Sequence, residues 1–182
     1  MTDLPDAELM ELAADGSELA FAEIVHRYQD VLLNFFLRSS VSYYDGQDLA
    51  QRTFLRLWRY RKRYRPEGAK FTTFLFMLAR QESIDFFRAE AHRREQEEAL
   101  MRAAAELAPA SGGGSAAAGE TVRRALARLT PPLRDAVELV VYQDLPYAEA
   151  SEVLGVPLGT VKSRIFNALK KLKEMLGDEC RH

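Results

Sequence analysis

The sequence predicts an all-α protein: two small helical domains joined by a flexible linker. Three observations carry this expectation. Helical periodicity dominates, and no segment alternates as a strand flanked by hairpin turns. Residues 107–119 read Leu-Ala-Pro-Ala-Ser-Gly-Gly-Gly-Ser-Ala-Ala-Ala-Gly, a composition that cannot bury a core and reads as a tether. The 182 residues suffice for one domain or two small ones, and the apolar fraction is ordinary for a folded chain. The boundaries that follow are 1–95 for the first domain, 96–119 for the linker and 120–177 for the second domain.

In the first domain, helices are expected near 6–14, 17–39, 46–63 and 71–94. Ser17 suits the cap of the second, and Thr72 or Thr73 the start of the fourth. Pro66-Glu67-Gly68 forms the turn between the third and fourth. In the second domain, helices are expected near 120–129, 131–142, 147–154 and 158–176. Pro131 fits a first-turn position, and Gly177 a C-terminal stop.

The most informative stretch is Gly155-Val-Pro-Leu-Gly-Thr-Val-Lys-Ser-Arg164, followed by an amphipathic run to Leu176. A glycine turn, a proline at the helix mouth, a first-turn hydroxyl and then two cations suit a helix docked in a DNA groove. With Tyr147 to Leu154 as the preceding helix, the plan is helix-turn-helix. Val161, Ile165, Leu169 and Leu172 fit the stripe that docks this helix on its own domain.

Composition narrows the function. The net charge is −2, yet residues 1–30 carry eight acids and one base while residues 51–65 carry seven bases and no acid. A nearly neutral chain can therefore present a basic face. In residues 59–70 the bases interleave with Tyr60 and Tyr64, which suits phosphates and exposed bases, or else a solvated basic face with tyrosines on the core. The lone Cys180 and the scattered His26, His92 and His182 give neither a disulfide framework nor a metal cluster. No cofactor is expected. No nucleophile–base pair or phosphate-binding glycine loop is visible, so no catalytic residue is assigned and an enzyme is not expected. The acidic N-terminus and the lack of a long apolar run point to a cytoplasmic protein without membrane insertion.

The helix-turn-helix has partner motifs elsewhere. These are Asp45-Gly-Gln-Asp-Leu-Ala-Gln-Arg-Thr-Phe-Leu-Arg-Leu-Trp58, residues 71–88 from Phe71 to Arg88, and Leu129-Thr-Pro-Pro-Leu-Arg134. Together with Gly159-Thr-Val-Lys-Ser-Arg164 they resemble, over nearly the whole chain and in order, the sigma-70 family, in its short two-domain group of extracytoplasmic-function (ECF) sigma factors. The resemblance implies a bacterial transcription-initiation subunit with two partners, core RNA polymerase and promoter DNA. The first domain would be sigma region 2, and the second sigma region 4. An anti-sigma factor or a Ser/Thr protein kinase is a further partner to consider.

By the resemblance, Asp48, Gln51, Arg52 and Leu55 form the polymerase-binding patch, opposite a core stripe of Leu49, Phe54, Leu57 and the more ambiguous Trp58. Arg65, Lys70, Phe71, Arg80, Gln81, Ile84 and Arg88 would face the −10 element. Phe71, Phe76 and Phe87 read equally as packing or base contacts. Thr160, Lys162, Ser163, Arg164 and Asn167 would face the −35 element, with Arg134 a further backbone contact and Lys170, Lys171 and Lys173 on phosphates or in solvent. About 25 linker residues reach on the order of 80 Å extended, enough for elements two DNA turns, roughly 70 Å, apart.

One departure stands out. The family usually carries an acid just before the position of Thr53, and often another near Gly46 or Gln47; here Arg52 replaces the acid. A like-charge contact costs up to several kcal/mol. Either neighbours compensate or the contact shifts, or Thr53 is phosphorylated and the added charge, about −1.5 to −2, restores the acid. Two alternatives to a sigma factor are a sigma mimic that titrates an anti-sigma factor and an ordinary helix-turn-helix repressor. The basic segment and Lys162 and Arg164 argue against the first, and the 45–88 motifs against the second.

Overall fold

A computed structural model describes residues 3–39, 41–104 and 125–179. The described residues are helical with no strand. The glycine-alanine segment 107–119 lies outside them. In the N-terminal half the helices are α1 (Asp6–Ala14), α2 (Glu18–Arg38), α3 (Tyr43–Tyr60) and α4 (Phe71–Ala104), with a 3-10 turn at Arg61–Arg63. In the C-terminal half, helical residues 125–127 precede α5 (Pro131–Val137), which runs into a π-helical turn at Glu138–Tyr142. Then come α6 (Tyr147–Leu154) and α7 (Leu158–Glu179).

Local chemistry sets the helix ends. The Ser17 hydroxyl accepts from the Ala20 N–H at 3.2 Å, as expected of an N-cap. Ser42 caps α3, accepting from the Asp45 N–H at 3.1 Å, so α3 begins three residues earlier than the expected 46. Pro131 occupies the first turn of α5. Two expectations fail. Thr73 caps nothing: it is buried, and its hydroxyl donates to Glu149 at 2.9 Å. Gly177 does not stop α7, which continues to Glu179; a single glycine costs a helix only about 1 kcal/mol. Helix α4 also runs ten residues past the expected 94.

The N-terminal core is built from Leu9, Met10, Ile24, Leu32, Phe36, Leu49, Leu57, Leu75 and Phe76, all essentially without exposure. Gly46 lies where α3 meets α2: a Cβ there would stand 3.3 Å from a Leu33 methyl. Arg27 ties α1 onto α2, donating to Asp6 at 2.8 Å, Glu23 at 3.0 Å and the Leu4 carbonyl at 2.8 Å. The C-terminal core is Leu129, Leu139, Val153, Val161, Ile165 and Ala168. The halves meet where α6 packs on α4. A second link joins Arg38, the last residue of α2, to the buried Glu138 through two hydrogen bonds, at 2.6 and 2.7 Å.

Because Phe36 is sealed in the core, Phe36→Ala should cost about 3–5 kcal/mol in urea unfolding. Leu19→Ala, on the exposed side of α2, should change stability by no more than about 0.5 kcal/mol.

Candidate nucleic-acid interface

The helix-turn-helix is assembled by backbone geometry. Helix α6 ends at Gly155, whose φ of +62° is the left-handed conformation that glycine adopts freely. Ser151 Oγ donates to the Val156 carbonyl at 2.7 Å and pins the turn. The Pro157 carbonyl then accepts from the N–H groups of Thr160 and Val161 and starts α7. Val161, Ile165 and Ala168 form the buried stripe, with Leu172 partly buried. Leu169, expected in that stripe, is 50% exposed; Ala168 takes its place because 161, 165 and 168 follow the helical turn.

The outward face of α7 presents Lys162, Ser163 and Asn167, with Thr160 and Arg164 half-buried at its edge. The Ser163 hydroxyl donates to the Thr160 carbonyl at 3.0 Å. Phe166, which the sequence reading passed over, stands in the middle of this face and is 70% exposed. The signal was available: 162, 163, 166, 167 and 170 share one side of a 3.6-residue helix. Arg134 is not free for DNA as drawn from the sequence. Its guanidinium donates to the carbonyls of Leu126, Ala127, Leu129 and Ser39 at 2.7–3.2 Å. It therefore closes the end of the preceding helix. Burial lowers its pKa, and the Asp135 carboxylate opposes that shift.

On α3, Asp48, Gln51, Arg52 and Leu55 are all exposed, and Leu55 is 59% exposed. Leu49, Phe54 and Leu57 point the other way into the core. Trp58 is intermediate: it meets Phe21 edge-on at 4.9 Å and carries the Arg61 guanidinium 3.8 Å above its ring. Arg52 pairs with Asp48 at 2.7 Å, so its charge is already met on the same face. Thr53 faces inward, has no exposure and donates its hydroxyl to the Leu49 carbonyl at 2.8 Å. Its expected role as a modification site is at odds with that burial. Gly46 also faces the core, so an acid at that position could not serve the outer patch.

Around the basic segment, Tyr64 is buried against Phe71 and Phe74, while Tyr60 carries Arg63 over its ring at 4.7 Å. Phe71, expected at DNA, is buried and meets Tyr28 edge-on at 5.1 Å; the aromatic cluster outcompetes exposure. Phe76 is buried too, and Phe87 is 41% exposed. Arg65 is exposed and donates to the carbonyls of Lys62 and Tyr64. Gln81 and Arg88 are exposed on α4, and Ile84 is half-buried. Gln81 donates to Asp85 at 3.0 Å. Lys70 pairs with Glu149 at 2.7 Å, and Arg80 lies 3.7 Å from Asp135. Those two acids belong to the C-terminal half and went unmarked in the sequence, since nothing local brings 135 or 149 near α4.

The comparisons agree on the family. A model described as "Sigma-70 region 2" matches residues 24–93, and one described as "Sigma-70, region 4" matches residues 119–172. The ECF RNA polymerase sigma factor RpoE of Cereibacter sphaeroides is 29% identical over 96% of this chain and 98% of its own length. The RNA polymerase sigma-H factor of Pseudomonas aeruginosa is 27% identical, over 97% of this chain and 96% of its own. Among solved structures, CnrH in complex with the cytosolic domain of CnrY superposes with a TM-score of 0.72 at 25% identity, covering 95% of this chain and 97% of that one. With both regions matched in order, and full-length relatives that carry the name, the chain belongs to the sigma-70 family, among its ECF sigma factors.

Proposed function

We propose that this chain is a sigma subunit that docks on core RNA polymerase through α3, binds two promoter elements and directs transcription initiation in the cytoplasm. The observation that carries the reading is the pairing of two outward faces on one chain. One is the α3 face with an apolar centre at Leu55, and the other is the α7 face of Lys162, Ser163, Phe166 and Asn167. An exposed leucine ringed by polar groups suits a protein partner. Cations, hydroxyls and an amide at the start of a helix-turn-helix suit groove and phosphate contacts. Arg65, in the segment before α4, and Gln81 and Arg88 on α4 are the outward candidates for the −10 element. Lys70 and Arg80 join them once they leave their carboxylate partners. A protein partner such as an anti-sigma factor is a further proposal, supported by the likeness to CnrH bound to the cytosolic domain of CnrY.

Activation by phosphate at Thr53 finds no support in this geometry. A kinase needs the hydroxyl, which is buried and bonded to a backbone carbonyl. The charge it was invoked to correct is offset by Asp48. The compensated patch is therefore the preferred reading, and the unmodified protein should bind polymerase.

The reading is tested by gel filtration of unmodified protein with purified core polymerase. Co-elution is expected, and Leu55→Asp should weaken binding at least about tenfold, because a buried apolar anchor is worth on the order of 2 kcal/mol or more. Separate elution of the unmodified protein would refute it. On duplex DNA carrying a functional promoter, Lys162→Ala should lower the slope of log affinity against log salt by about one unit. Thr53→Val should cost about 1 kcal/mol of stability. Thr53→Glu, placing an unpaired charge in the core, should cost about 3 kcal/mol or more.

A further inference from the structure

Two of the cations proposed for DNA, Lys70 just before α4 and Arg80 on it, face carboxylates of the other half. Glu149, in the first turn of α6, takes Lys70 on one oxygen at 2.7 Å and the Thr73 hydroxyl on the other at 2.9 Å. Asp135 on α5 stands 3.7 Å from Arg80. Beside them Glu138 is gripped by Arg38 through two bonds. All three acids come from the C-terminal half, and all three cations from the N-terminal half. A carboxylate presents anionic oxygens to lysine and arginine much as a phosphate does.

The geometry forces a choice. Promoter elements two DNA turns apart are separated by roughly 70 Å. Here α4 and α6 touch, with ion pairs across the seam. The two halves cannot keep this contact and occupy both elements at once.

We infer that Asp135 and Glu149 act as an intramolecular phosphate substitute and, with the Glu138–Arg38 pair, form a latch that holds the free chain closed and keeps Lys70 and Arg80 from DNA until the halves part. The inference rests on the reading of α4 as a DNA-facing helix, but the closure can be measured without any promoter. Opening exchanges carboxylates for phosphates on the same cations. Closure depends on Glu149 and Asp135 at the more open edge, and Glu138, whose side chain is only 4% exposed, pairs with Arg38 without being sufficient to hold the halves together.

The test compares the full chain with Asp135→Asn/Glu149→Gln and with a control that loses equal charge elsewhere, Glu8→Gln/Glu11→Gln on the exposed side of α1. Small-angle scattering gives the radius of gyration, near about 16 Å for a compact chain of this length. Binding to a mixed-sequence duplex of about 30 base pairs, at about 0.05 M salt, gives the affinity. The latch variant should expand by at least about a fifth and bind the duplex about fivefold more tightly than the charge control, the yield of freeing two partly exposed pairs. No expansion overturns the latch, and so does expansion with no affinity gain over the control. Should the double variant fail to fold, Glu149→Lys against Glu11→Lys carries the same two readouts. None of these outcomes depends on polymerase, so loss of the latch and loss of the sigma assignment are separable.

Discussion

Lys70 and Arg80 cannot serve a carboxylate and a phosphate at the same time. In the proposed reading, that competition for charge decides whether the N-terminal half faces its own partner half or DNA. The N-terminal half offers Arg38 at the end of α2, Lys70 just before α4 and Arg80 on α4, and the C-terminal half answers with Glu138, Glu149 and Asp135. The near-neutral total hides that division. Coulomb attraction between half-exposed groups is modest and salt-sensitive. A seam built from such pairs can hold the halves together and still give way to a polyanion.

The buried member of the set gives the seam its definition. Burial raises the pKa of Glu138, while the Arg38 and Gln143 hydrogen bonds pull it back. Replacing Arg38 alone would leave the Glu138 charge unpaired in a dry place, at a cost of about 3–5 kcal/mol. The Arg38 guanidinium also lies 4.4 Å over the Tyr142 ring, so one side chain reaches two points of the π-helical turn. That turn widens α5 just where the acid must face α2.

Much of the fold was legible because helices announce themselves locally. Ser17 and Pro131 sit at the starts they were read for, and Gly155 adopts the left-handed turn that the helix-turn-helix needs. Leu49, Phe54 and Leu57 fall on the inner face of α3, as their spacing implied. Several misreadings come from contacts that local sequence does not announce. The resemblance places Phe71 and Arg134 at DNA and local spacing puts Thr73 at a helix start, yet packing and hydrogen bonds claim each of them. Phe71 goes to Tyr28, Thr73 to Glu149, and Arg134 to four carbonyls. Thr53 was judged by the arginine beside it, while helical geometry turns its side chain a full face away from Arg52. Long-range pairing leaves no periodic trace, so the acids that meet α4 could not be seen in one dimension.

What the chain does to polymerase is the decisive observation. Purified core enzyme, the unmodified full-length protein and fragments of bacterial genomic DNA can be combined, and the RNA 5′ ends mapped. Discrete start sites are expected, each preceded by two shared sequence elements about two helical turns apart, and absent when the protein is omitted. Start sites indistinguishable from those of core enzyme alone would contradict the central claim.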